Sequence, residues 1–172
     1  MWTRLPVLAM ILLLAAPFYA GSVKAQNSTS DLILAFDLEN VAGGRTKSAD
    51  IQGKVLVLDF WATWAVPSNA QIPHLNKLHE TLQARGVQVT AIATDSGTTA
   101  SIKSKVNELG VKYPVLIANE KITSTFGVPG FPTTFLLIHD TQGWKIVKKY
   151  VGAVPDRTDR MLKDIEALLD GK

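Results

Sequence analysis

One stretch, Val55-Leu-Val-Leu-Asp-Phe-Trp61, limits the possible folds more than any other. It is an almost unbroken apolar run, interrupted only by Asp59. A strand patterned this way is buried on both faces, so it belongs inside a sheet with helices on each side. Directly after it, Pro67 suits the first turn of a helix expected from about Ser68 to Gln83. Ile72, Leu75, Leu78 and Leu82 recur there at helical spacing. Pro73 falls inside the helix and is expected to kink it.

The remaining chain alternates in the same way. Leu32 to Phe36 is expected as a short strand, and Gly43-Gly44 turns a hairpin within Asn40 to Lys47. Val87 to Thr94 and Tyr113 to Ala118 are expected strands. Thr98 to Leu109 is an expected helix closed by Gly110, and Glu120 to Phe126 a shorter one. Thr133 to His139 and Trp144 to Val151 form an expected antiparallel hairpin around Asp140 to Gly143. Asp156 to Leu169 closes the chain as an amphipathic helix, with Met161, Leu162, Ile165, Leu168 and Leu169 inward. The fold class is α/β, a mixed central sheet flanked by helices, in one domain over residues 32–172. The polar residues 26–31 are expected to be flexible.

The N-terminus reads as a targeting signal. Arg4 precedes the apolar run Val7 to Ala16, and Val23-Lys24-Ala25 offers a small-x-small site before Gln26. That is the pattern of a secretory signal peptide over residues 1–25. An uncleaved signal anchor is the alternative, because the uncharged stretch between Arg4 and Lys24 is just long enough to span a bilayer. Pro6 and Pro17 shorten its helical part. Both readings place the domain outside the cytoplasm, in a bacterial periplasm, with membrane contact only if the leader is retained.

The pI near 9.2 owes much to Arg4 and Lys24, and the chain beyond the leader is close to neutral. A nucleic-acid partner needs a basic stripe to neutralise phosphates. The only local cluster, Lys145, Lys148 and Lys149, reads as the solvated face of an exposed strand, so no nucleic acid is expected. There is no cysteine, which excludes a thioether-linked lipid anchor.

The segment Asp59-Phe-Trp-Ala-Thr-Trp-Ala-Val-Pro-Ser68 resembles the thioredoxin active site, where a buried strand ends in Trp-Cys-x-Pro-Cys and enters a helix. Pro73 matches that family's kinking proline. Phe126-Gly-Val-Pro-Gly-Phe-Pro-Thr133 is similar to the loop that holds its cis-proline. Gly53-Lys54-Val55 through Ile72-Pro73-His74-Leu75, with the export signal and N-terminal hairpin, resembles the extracytoplasmic TlpA- and ResA-like thiol–disulfide oxidoreductases. The long stretch between Ser68 and Pro132 matches that branch's inserted strand–helix unit. The resemblance covers residues 32 to 170 or so and implies a thioredoxin-like fold with an N-terminal hairpin and a central insert. No cofactor is expected.

On the family pattern, Ala65 stands where the attacking cysteine belongs and Ser68 where the resolving one belongs. A cysteine pair at a helix N-terminus works because the helix dipole stabilises the first thiolate and the second is close enough to resolve a mixed disulfide. Ala65 carries no nucleophile, and the Ser68 hydroxyl ionises only at very high pH. A helix-terminus effect of about 1 kcal/mol, under one pKa unit, cannot bridge that gap. Thiol–disulfide exchange is therefore not expected of this chain.

Asp59 matches the buried acid that relays a proton for the family's resolving thiol. Two readings stand: it hydrogen-bonds Ser68 or a water and merely tolerates the site, or it survives from a redox site lost naturally or by design. Gln71 departs from the acid that TlpA- and ResA-like proteins often carry. The resemblance implies a cis Phe131–Pro132 bond that presents the Phe131 backbone beside Ala65, ready to pair with an extended polypeptide. Trp64, Val66 and Pro67 would form an apolar lip, while Trp61 reads as core. His74 and His79 do not share a helical face and His139 is isolated, so no metal site is expected. Ser68 and His74 also lie on different faces, which argues against a hydrolase.

Three functions fit these residues. The first, which the sequence favours, is a redox-silent family member that binds polypeptide or a partner protein through the groove. The second is an active oxidoreductase of exported protein or cytochrome thiols, written with both cysteines replaced. The third is a scaffold whose groove is unused.

Overall fold

The computed structural model describes residues 35–153 and 156–171. The expected leader, the expected flexible residues 26–31 and the first part of the strand expected at Leu32 to Phe36 lie outside the described residues.

Among the described residues seven strands and four α-helices follow one another as β1 (Asp37–Asn40), β2 (Arg45–Lys47), β3 (Val55–Trp61), α1 (Val66–Leu82), β4 (Val87–Ala93), α2 (Thr99–Glu108), β5 (Val115–Ile117), α3 (Glu120–Thr125), β6 (Thr133–Asp140), β7 (Gly143–Val151) and α4 (Arg157–Leu169). They form one mixed sheet in the order β2-β1-β5-β4-β3-β6-β7. β3 pairs parallel with β4 and antiparallel with β6, which puts the apolar run of the sequence at the sheet's interior. Every residue of β3 is buried.

Alternation along β3 divides two cores. Val55, Val57 and Trp61 face Leu75 and Leu78 of α1, Ile102 of α2 and Met161 and Ile165 of α4. Leu56, Leu58 and Phe60 face Ile122 of α3 with Phe126, Phe135 and Trp144. Period-two side chains leave Asp59 no choice of face: between Val57 and Trp61, it lies under α1 and α4.

Three expectations are corrected. Ala35 and Phe36, the described end of the strand expected at Leu32 to Phe36, are not in a strand, because the Phe36 backbone is occupied by Ser48: its N–H donates to Ser48 Oγ and its carbonyl accepts from the Ser48 N–H. The strand expected at Tyr113 to Ala118 shortens to Val115–Ile117, since Pro114 has no N–H to enter a ladder. Leu162 is not inward but 40% exposed. Met161 and Ile165 carry the contact of α4 with the sheet, and the next residue along a helix lies about 100° round the axis.

One glycine is sterically required. Gly53 has φ +136°, and a Cβ there would stand 2.8 Å from the Gly86 carbonyl oxygen. That oxygen accepts from both Lys54 N–H (2.7 Å) and Val55 N–H (3.2 Å), so it is not free to retreat. Gly53→Ala should cost about 1–3 kcal/mol. A urea midpoint that falls with unchanged slope would report it.

Candidate functional site

β3 runs into α1 through Ala62 to Ala65. The Ala65 N–H donates to the Ala62 carbonyl (3.0 Å), and the Ala65 carbonyl accepts from Asn69 N–H (3.1 Å). Asn69 Nδ2 donates back to the Thr63 carbonyl (3.1 Å), tying the turn to the helix. Ala65 is the N-cap of α1, in extended conformation, with no side-chain cap and with Pro67 in the first turn. The helix thus begins two residues before its expected start, so position 65 sits at the positive end of the helix dipole. What occupies it is a methyl group, 6% exposed. Ser68 is fully buried, and its Oγ has no hydrogen-bond partner among the described residues.

Asp59 does not bond Ser68, as one sequence reading had it. Strand register places Thr134 of β6 directly opposite Asp59. Thr134 Oγ1 donates to Asp59 Oδ1 at 2.7 Å, and Gln71 Nε2 of α1 donates to the same oxygen at 2.7 Å. Gln71 Oε1 accepts from Arg157 Nη1 of α4 at 3.3 Å. The side-chain amide therefore links a buried carboxyl to a buried guanidinium. Burial raises the Asp59 pKa from 3.8 to about 7, against the lowering effects of Thr134, Gln71 and the Arg157 charge. Such a group exchanges a proton near neutral pH, and nothing in its immediate surroundings is a thiol.

The lip residues surround this point from outside. Trp64 is 61% exposed and Val66 76% exposed, and Pro67 is exposed as well. Trp64 is nonetheless held: its indole Nε1 donates to the Asp95 carbonyl (2.8 Å), and the neighbouring Thr63 N–H donates to Ser96 Oγ (3.0 Å). The half-buried Phe131 ring meets Trp64 edge to face, centroids 6.0 Å apart. The Phe131–Pro132 peptide bond is cis, and Pro132 is buried. Trp61 is 2% exposed and packs in the core.

The histidines stay apart. His74 is exposed, His79 stacks edge to face on Tyr113, and His139 does the same on Trp144. Burial holds the His79 pKa below its usual range. Among the described residues no three His, Asp or Glu side chains are grouped to hold a metal. The lysines of β7 are engaged locally: Lys148 pairs with Asp164 (2.6 Å), and Lys149 Nζ donates to the Gly127 carbonyl (2.6 Å).

Sequence reasoning missed Thr134, Arg157 and the Asp95–Ser96 clamp. Thr134 could have been found from the cis-proline loop, since it is two residues beyond Pro132 on the strand that register sets against β3. Arg157 and the clamp carry no local signal at all.

Residues 29–143 match the AhpC/TSA family. The chain is 35% identical over 137 residues to the thiol-disulfide oxidoreductase ResA of Bacillus thuringiensis, covering 78% of this chain and 75% of that one. Its structure is similar to a thiol:disulfide interchange protein DsbE of Chlorobium tepidum, with TM-score 0.73 and 29% identity over 81% of this chain and 96% of the other. It is also similar to the exposed lipoprotein thioredoxin of Streptococcus pneumoniae, with TM-score 0.66 and 26% identity over 77% and 98%. The thioredoxin-like architecture, the match over two thirds of the chain and the ResA likeness agree: this chain belongs to the AhpC/TSA family, among its ResA-like thiol–disulfide oxidoreductases.

Proposed function

We propose that the chain is an exported, redox-silent member of this family that binds polypeptide through the groove of Trp64, Val66, Pro67, Phe131 and Pro132. One contrast carries the reading. The apolar lip is exposed and anchored, whereas the two positions that would do redox chemistry hold a methyl group and a sealed hydroxyl. A Trp already fixed by its Nε1 bond loses little side-chain freedom on binding, which favours it as an energetic anchor. Export to the periplasm rests on the leader pattern of residues 1–25.

Titration with extended apolar peptides should change Trp64 fluorescence. Trp64→Ala should raise Kd about tenfold or more, with the far-ultraviolet dichroism unchanged because the ring is largely in solvent. A peptide affinity indifferent to Trp64→Ala would dispose of the groove.

Asp59 favours a second reading, an active oxidoreductase of exported protein or cytochrome thiols with both cysteines replaced. A buried carboxyl that titrates near pH 7 is suited to take up the proton of a resolving thiol. Restoring the cysteines separates the two.

A further inference from the structure

Between α1 and α4 lies a cleft of about 510 Å³ whose walls include Pro67, Leu75, Leu78, Met161 and Leu162. Leu162 is the residue that the amphipathic pattern of α4 assigns to the core, yet it stands exposed at this cleft. Arg157 also lines it, although only 5% of the residue is exposed.

The guanidinium is half satisfied. Nη1 donates to the Gly152 carbonyl and, at 3.3 Å, to Gln71 Oε1. Nε and Nη2 are buried with no partner among the described residues. Those two nitrogens share one edge of the guanidinium, and their parallel N–H groups match the two oxygens of a carboxylate. A buried cation with an open fork is costly unless an anion meets it. Asp59 supplies charge from a distance, and its oxygen is bonded to Thr134 and Gln71 rather than to Arg157. The rim carries Asp156 and Asp159 as well as His74 and Lys77. Two rim acids disfavour a multiply charged anion such as phosphate and leave a single carboxylate as the best match.

We propose that this cleft is a carboxylate subsite: it takes an acidic residue of the bound polypeptide, the carboxylate on the Nε–Nη2 edge of Arg157 and the apolar neighbours on Leu75, Leu78 and Leu162. The assignment rests on the polypeptide reading of the groove, to which the cleft is joined through Pro67, a member of both surfaces. To present its open edge to the ligand, Arg157 rotates its outer side-chain bonds and releases both Nη1 contacts, to Gln71 and to the Gly152 carbonyl.

The test uses the whole protein, nitrogen-15 labelled at arginine, with two kinds of probe. Hexanoate should shift the Arg157 Nε–H resonance saturably, while hexanol should leave it in place. Of two peptides differing only by Glu or Gln between leucines, the Glu peptide should bind about tenfold more tightly. Arg157→Lys, which keeps the charge but loses the fork, should reduce that preference to about threefold or less. Leu162→Ser, at an exposed position, should weaken hexanoate binding without disturbing the fold. An Arg157 signal untouched by hexanoate overturns the subsite. Equal affinity for both peptides, still dependent on Trp64, overturns it while the groove stands. A hexanoate shift with neither peptide bound removes polypeptide as the ligand, and the groove reading with it. If Arg157→Lys fails to fold, the probe pairs on the unsubstituted protein decide.

Discussion

Replacing Ala65 and Ser68 together by cysteine should convert this chain into a working dithiol reductant. The reduction rate of insulin disulfides should rise from background by roughly three orders of magnitude or more. Three features already in place support that size of effect. Position 65 is the N-cap of a 17-residue helix with no acidic residue in its first turn, so nothing there opposes the dipole that stabilises a thiolate. Position 68 is sealed from solvent on the same turn, where a second thiol would meet the mixed disulfide rather than water. Asp59, titrating at about 7, can take up the resolving thiol's proton at neutral pH.

Ala65→Cys alone should attack a disulfide and stop at the mixed disulfide, visible as an adduct by mass. The unsubstituted chain should stay at background throughout. Activity in the double variant would support the reading of an oxidoreductase with its cysteines replaced. A double variant that stays inactive, though folded and carrying free thiols, would mean that the groove has been reshaped for binding alone.

Asp59→Asn should make the protein more stable at pH 8 by roughly 2–4 kcal/mol and no more stable at pH 3. The sign follows from the two protonation equilibria. Burial raises the Asp59 pKa from 3.8 to about 7 in the folded protein. Between those values the native state holds a proton that the unfolded chain has released, so stability falls as pH rises. Each pH unit across the window is worth about 1.4 kcal/mol. Below 3.8 both states are protonated and the slope vanishes; above about 7 both are ionised and the full loss is in place.

Asparagine never ionises, and its Oδ1 can still accept from Thr134 and Gln71. The attraction of the Arg157 charge is already contained in the Asp59 pKa of about 7, which it lowers, so the gain is net of it. Urea midpoints of both proteins at pH 3, 5 and 8 should diverge steadily. Parallel midpoints would show that Asp59 does not titrate in this window.

Much of the architecture was legible in local patterning. The β3 run, the helical spacing of Ile72, Leu75, Leu78 and Leu82, the Gly43–Gly44 turn and the last hairpin each declare themselves within a dozen residues or so, because burial on a strand or helix imposes a period of 2 or 3.6. The site's outline was legible for a related reason. Trp64 to Ser68 and Phe131–Pro132 are contiguous motifs, and the lack of sulfur is a property of composition. Leu162 misled because the same periodicity assigns an inward arc wider than the one α4 uses, and no local rule says how much of that arc a neighbouring helix will cover.

The pairing of Asp59 with its neighbours was not written in any local pattern. Thr134 is 75 positions away along the chain, and Arg157 is 86 from the Gln71 it contacts. Their meeting depends on which β6 residue falls opposite Asp59 and on how α4 settles over α1. Periodicity assigns a residue to a face; register and helix docking choose its neighbour. Composition and motif alone told that this chain has a redox scaffold without redox atoms. That its buried acid bonds a threonine hydroxyl and a glutamine amide instead of Ser68 was decided by packing, which set those two groups within its reach.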